Sequence, residues 1–243
     1  MKKVTALLMS LLLMLSLCAC TITAGREEEP AEEISQTAET AEETADESAD
    51  EPENEDEPDY LTFPLTLGDG ALTVESVFTS DMTNPDCDNE SVEDLASLQV
   101  TNTGSDCIAE AMVTAVMADG TTASFTIMNL PAGMSMLAFD TADTALKSTD
   151  CSSLTLESLT IGEIGIPEEV SVSAESTSIT VTNNSGSTLE NLTVTYHCMM
   201  DGVCFGGLSY EQIIADLPAG ASITLEADEC WLGTAEVLGI TME

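Results

Sequence analysis

Positive charge is nearly absent from this sequence, with 4 Lys and Arg against 45 Asp and Glu. Phosphate binding needs clustered bases, so nucleic acid is excluded as a partner, and so is a peripheral grip on anionic lipid. Such an excess of acid favours solubility, repels other polyanions and suits cation binding. Histidine is almost as scarce. His197 is the only one, and its neighbour Cys198 lies on the opposite face of any strand, so the two cannot form a thiolate pair. No Gly-x-Ser-x-Gly elbow and no phosphate-cradling Gly loop occurs. Carboxylate pairs are too plentiful to mark an acid–base site, and the chain reads as not an enzyme. Long apolar runs are also missing beyond the N-terminal segment, so no later stretch reaches the roughly 20 residues that a membrane-spanning helix needs.

What is present begins with Lys2 and Lys3, followed by an apolar run over 4–17 rich in Leu and Met. This is the charge-then-hydrophobe layout of a secretory signal, and the run is too short to span a bilayer. It ends in Leu17-Cys18-Ala19-Cys20, which resembles the lipobox of bacterial lipoproteins. The resemblance implies a signal peptide over 1–19, diacylglycerol on Cys20, and a lipid-anchored location at the extracytoplasmic face of the cell membrane. A small residue at Ala19 suits a peptidase closing on the backbone, whereas bulky Leu17 precedes the alternative Cys18. Two or three acyl chains would make the attachment durable where one binds only marginally. With the signal removed, Arg26 and Lys147 are the remaining bases.

Residues 20–59 hold the lipid site and then a segment, 21–59, with 17 acids and without Leu, Val, Phe, Tyr or Trp. Such a composition cannot bury enough apolar surface to offset chain entropy, and the segment is expected to be disordered. Mutual repulsion stretches it into a spacer with a ceiling of roughly 130 Å. A basic partner or metal ions are the alternative use of the same charges.

From Tyr60 the pattern becomes short alternating apolar runs between turn residues, which predicts an all-β fold. Leu98 and Val100 point inward with Gln99 and Thr101 outward; Leu192, Val194 and Tyr196 point inward with Thr193, Thr195 and His197 outward, the histidine half-exposed. An internal repeat runs through this part. Leu98-Gln99-Val100-Thr101-Asn102 matches Ile179-Thr180-Val181-Thr182-Asn183, Asp119-Gly120 matches Asp201-Gly202, and Leu130-Pro131-Ala132-Gly133 matches Leu217-Pro218-Ala219-Gly220. Cys151 precedes Leu159 and Ile161 as Cys230 precedes Leu238 and Ile240. The order of these landmarks predicts two homologous modules, 60–166 and 167–243. Each landmark carries turn chemistry, with Asn and Gly for left-handed positions and Asp-Gly for a hairpin.

These landmarks resemble the small immunoglobulin-like sandwiches of bacterial surface proteins, including the cell-adhesion-related domain found in bacteria and similar modules of Firmicutes lipoproteins. The resemblance implies two tandem Ig-like β-sandwiches and a non-catalytic adhesion, scaffold or interaction role toward a protein or cell-wall partner. Six cysteines in the folded part depart from that pattern.

A cation site is the other chemistry to weigh. Asp81, Asn84, Asp86, Asp88, Asn89, Glu90, Glu93 and Asp94 crowd one loop, and Asp81, Asp86, Asp88 and Glu90 are the candidates for calcium, which prefers oxygen clusters. The loop lacks the Gly of an EF-hand and its spacing is irregular, so a solvated loop is the reading preferred over a calcium- or small-ligand-binding one. Zinc is disfavoured, because Cys198, Cys204, Cys230 and His197 have no recognised ligand spacing. Trp231 is expected to pack on the core, with an exposed anchor for a partner as the alternative. Among the cysteines, alternating strands place Cys87 and Cys151 at one end of the first module, where a bridge could form. Cys107 is expected to point inward as a buried thiol. Cys230 is expected to pair with Cys198 or Cys204, unless those two pair with each other across a hairpin with a three-residue loop. The same register puts Val113 opposite Phe125.

Overall fold

A computed structural model of the chain describes residues 60–87 and 91–242. The signal, Cys20 and the acidic segment 21–59 lie outside these residues, as do Asp88, Asn89 and Glu90. The described chain is built of strands: β1 (Leu65–Leu67), β2 (Leu72–Thr83), β3 (Ser91–Asn102), β4 (Cys107–Met117), β5 (Thr122–Leu130), β6 (Ser135–Phe139) and β7 (Cys151–Gly162), then β8 (Val170–Glu175), β9 (Ser178–Asn183), β10 (Leu189–Met200), β11 (Val203–Phe205), β12 (Tyr210–Leu217), β13 (Ser222–Glu226) and β14 (Thr234–Met242). A single 3-10 turn, Gly68–Gly70, interrupts them. Val, Ile and Thr populate these segments because branched side chains fit a pleated, half-buried surface.

In the first half, the strands β1-β2-β3-β6 form one layer and β5-β4-β7 the other. Leu72, Val74, Leu98, Val100 and Met136 face Ile108, Ala111, Val113, Phe125 and Ile127 between the layers, all fully buried. Each large side chain removed from water there contributes about 1.5–3 kcal/mol before entropy is counted. In the second half, β8-β9-β13 forms one layer and β12-β10-β14 the other, with Ile179, Val181, Leu192, Val194 and Tyr196 inside. The order β2-β3-β6 recurs as β8-β9-β13, and β5-β4-β7 recurs as β12-β10-β14. The sequence repeat is thus a repeat of pairing order.

Its landmarks touch each other in space. Asn102 at the end of β3 is fully buried; its Nδ2 donates to the Asp106 and Leu130 carbonyls at 2.9 and 2.7 Å, and its Oδ1 accepts from the Gly104 amide at 3.0 Å. Asn183 at the end of β9 does the same with Ser187 and Leu217, both at 2.8 Å, and with the Ser185 amide at 2.8 Å. Backbone bonds from Gly133 to Asn102 and from Gly220 to Asn183 close both arrangements. The Asn side chain therefore ties a strand end to the Leu-Pro-Ala-Gly reversal, whose Gly has φ of 78° or 69°, a region open to Gly at no steric cost.

One strand has no counterpart in the first half. Strand β11 pairs with β10 on one side and, in parallel, with β6 on the other through Cys204↔Met136 and Phe205↔Leu137. It joins β1-β2-β3-β6 to β10, β12 and β14 in an eight-stranded sheet. Cys204 is fully buried within the apolar core of the first half. The two halves therefore share both a sheet and a core.

The register departs from expectation at two places. The hairpin between β10 and β11 turns on Asp201 and Gly202 alone, with φ of 51° and 83°, so Met200 faces Val203 and Met199 faces Cys204. This is the two-residue loop with left-handed residues at both centres, not a three-residue one. A slip of one residue reverses every side chain beyond it, and Cys204 faces away from Cys198. In the first half Met117 and Thr121 close a three-residue loop, and Val113 lies opposite Phe125. The second departure is in β4, whose pairing with β7 shifts between Ile108 and Glu110. This bulge sends Ile108 and Ala111 inward and leaves Cys107 partly exposed, so Cys107 is not the buried thiol that alternation predicts.

Candidate functional site

The densest polar chemistry lies where the halves meet. Residues 84–87 follow β2, and Asn84 is almost fully buried there. Its Nδ2 donates to the Asp140 carbonyl at 3.3 Å and to Asp143 Oδ1 at 2.7 Å, while its Oδ1 accepts from the Asp86 amide at 3.0 Å. That turn aims Asp86 across the seam. Its carboxylate accepts the backbone N–H groups of Gly207 at 2.6 Å and Leu208 at 3.3 Å, in the link between β11 and β12. Burial pushes Asp86 up to about 6, against the opposing pull of the two amides. Tyr210 donates its hydroxyl to the Pro85 carbonyl at 3.2 Å; burial first and the Asp86 charge second push it up to about 12.

Gly207 is held on its far side too. Its carbonyl accepts the Met128 amide at 2.9 Å, and a Cβ at this position would overlap the Thr126 carbonyl oxygen. Close approach of two backbones requires a glycine here. One residue pair further, Asn129 Nδ2 donates to Ser209 Oγ at 2.8 Å. His197 sits beneath this contact with no exposed surface, its Nε2 2.8 Å from the Met128 carbonyl. It is not the half-exposed residue that alternation predicts, because strand β5 covers the outer face of β10. Burial holds its basicity below the ordinary imidazole value, and Nδ1 has no hydrogen-bond partner. The imidazole is buried and held in place, unlike the exposed, poised base that acid–base chemistry needs.

An apolar groove of about 210 Å³ is lined by Phe78, Leu137, Met200, Val203 and Phe205 together with Gln99 and Asp201. Both halves contribute, since β2, β3 and β6 meet β10 and β11 there. Cys204 also borders it, and burial pushes its thiol up to about 12, so it stays protonated and unreactive.

The two calcium candidates among the described residues have separate backbone partners. Asp86 is committed to the Gly207 and Leu208 amides, Asp81 Oδ1 accepts the Asp94 amide at 3.0 Å, and Asp88 and Glu90 lie outside the described residues. Among the described residues no group of three or more His, Cys, Asp or Glu is placed to hold a metal ion.

Cys198 and Cys230 form a disulfide across 32 residues, Cα atoms 4.9 Å apart. The alternatives through Cys204 are not realised, because the two-residue hairpin turns it away. The bridge expected between Cys87 and Cys151 is not formed. Cys151 is a buried free thiol directed at the Ser153 and Val116 carbonyls at 3.1 and 3.6 Å. Cys87 lies beside Thr126 and Leu208 at the β5 edge, whereas Cys151 pairs with Met117 on β7, on the far side of β4. Trp231 is 46% exposed and does not fill the core as expected; Tyr196, Cys198 and Cys230 occupy that place. Sequence reasoning missed the Asp86 latch, and the only signal for it was Asn84-Pro85-Asp86, an Asx turn that could aim a side chain in any direction.

Compared with known protein families, curated proteins and solved structures, the chain matches none.

Proposed function

We propose that this chain is a non-catalytic surface lipoprotein, held by lipid on Cys20 at the outer face of a cell membrane. Two Ig-like sandwiches, fused through β11, present a rigid binding platform to a protein or cell-wall partner, with the acidic segment 21–59 between platform and anchor. The observation that carries the reading is how the seam uses its reactive groups. The one imidazole is buried against the Met128 carbonyl, and Asp86 is spent on two backbone amides. These groups hold the halves together, and what remains on the surface is suited to contact. The lipobox Leu17-Cys18-Ala19-Cys20 supports the location.

Metabolic labelling with an alkyne fatty acid, followed by membrane fractionation, tests the anchor. The wild-type chain is expected to take label and to pellet with membranes, and Cys20→Ala to lose both. Label transferred to Cys18, or a variant that still pellets, would refute the assignment.

A further inference from the structure

We propose that the apolar groove on the outer face of the eight-stranded sheet receives an alkylammonium group, the side chain of a lysine carried by a partner protein. The inference rests on the reading of the chain as an interaction module and names the contact and its chemistry. Strand pairing builds the floor of the groove. Gln99 pairs with Leu137 and Leu137 with Phe205, so the three lie side by side on β3, β6 and β11. Their chain neighbours Leu98, Met136 and Cys204 enter the core of the first half, which turns these three to the opposite face. Val203 shares that face two residues before Phe205, and Met200 pairs with Val203 across the hairpin. Phe78, Leu137, Met200 and Val203 are only half-buried. Phe205 beneath them is held edge-on against Phe139, with ring centroids 5.3 Å apart. A surface fixed in this way by backbone pairing and ring packing loses little freedom on binding.

The polar groups of the groove select its occupant. Gln99 and Asp201 line it with the apolar residues, and among the described residues neither side chain has a hydrogen-bond or ion-pair partner. Asp86, by contrast, is spent on the Gly207 and Leu208 amides. Asp201 is exposed and sits in the two-residue turn, at φ of 51°. Its own chain does not supply the cation. Lys147 is the only Lys or Arg after residue 59, and it borders a different cleft, with Thr79, Asp94 and Asp150. A lysine side chain satisfies both kinds of lining: its four-carbon stem lies on the apolar residues, and its ammonium meets the carboxylate. A neutral aliphatic side chain would leave Asp201 without a partner, and an anionic one would be repelled. The volume of about 210 Å³ is below the roughly 300–1,000 Å³ of sites that enclose a free ligand, and it suits a single side chain brought in by a larger partner.

The test uses the full lipidated chain in uncharged detergent micelles, with isotope-labelled methionine methyl groups followed by NMR. Met200→Leu assigns the Met200 signal, which reports the groove and not the acidic segment. N-acetyl-lysine methylamide is the probe, and its norleucine analogue, with the same stem and no charge, is the control. The lysine probe is expected to shift the Met200 methyl saturably, and the norleucine analogue to bind about fivefold more weakly, the scale of one exposed ion pair. Asp201→Asn keeps a residue that the left-handed turn position accepts, and it is expected to bring the two probes to the same affinity. Gln99→Glu adds a second carboxylate and is expected to tighten the lysine probe by about threefold, a gain that a misfolded variant would not give. A Met200 methyl without a saturable shift, equal affinity of the wild-type chain for both probes, or an Asp201→Asn chain that still prefers lysine would overturn the proposal. So would a shift that follows protein concentration without probe, which would assign the groove to a second copy. Lipid labelling at Cys20 is read independently, so failure of the anchor and failure of the groove are distinguishable.

Discussion

Replacing Asn183 by Ala should remove one of the two side chains on which the repeated architecture turns. The amide is fully buried and makes three hydrogen bonds, two as donor to the Leu217 and Ser187 carbonyls and one as acceptor from the Ser185 amide. The Leu217 carbonyl is in the buried part of this set, and stranding it costs roughly 1–3 kcal/mol; the two partly buried groups can reach water and cost about 0.5–1 kcal/mol each. The expected loss is therefore about 2–5 kcal/mol. For a folded unit of this size, where each kcal/mol moves the midpoint by about 2–4 °C, that is a drop of roughly 4–20 °C. Calorimetry or a urea titration measures it directly. Asn102→Ala should lose a similar amount, because its three partners are equivalent. Asn183→Asp should be worse near neutral pH than Ala, since a carboxylate would face two carbonyls, and should recover on acidification when its proton can serve as donor. A midpoint within about 2 °C of wild type for both Ala variants would refute the idea that these amides hold the Leu-Pro-Ala-Gly reversals in place.

The Asp86 latch predicts a specific pH dependence. Burial raises its folded value to about 6 from the ordinary 3.8, so its contribution to stability is fully present below about pH 3.8 and is lost as pH rises through about 6, on the order of 2–3 kcal/mol at most. Asp86→Asn should lack that loss, and the midpoint difference between variant and wild type should change across pH 4 to about 6.5; subtraction cancels His197, which both chains share, and a flat difference would sink the argument. The Cys198–Cys230 bridge closes a loop of 32 residues' separation, for which chain entropy gives about 3–4 kcal/mol. Cys198→Ala with Cys230→Ala should unfold at correspondingly lower urea, and a wild type whose midpoint ignores reductant would show that the bridge carries no stability.

Alternation of apolar residues is local, and so the all-β character and strands such as those ending at Asn102 and Asn183 were legible in the sequence. The landmarks of the repeat were legible for the same reason: Asn, Gly, Pro and Asp-Gly announce backbone geometries that few other residues adopt. What they announced was where the chain turns, not how many residues each turn would consume. Val113 opposite Phe125 followed correctly from a three-residue loop at Asp119-Gly120, yet the matching Asp201-Gly202 closes a two-residue loop. That single residue decides that Cys204 enters the core of the first half while Cys198 bridges to Cys230. The bulge in β4 similarly reverses Cys107, and nothing in its neighbours signals it, because bulges are settled by the partner strand. His197 and Trp231 were misread for a related reason. Alternation names the face a side chain takes, but whether that face meets water depends on strands remote in sequence. Only the tertiary structure could decide that Met128 covers His197, that Asp86 reaches Gly207 across 121 residues, and that Trp231 keeps 46% of its surface exposed, since each outcome depends on segments whose local sequences hold no information about one another.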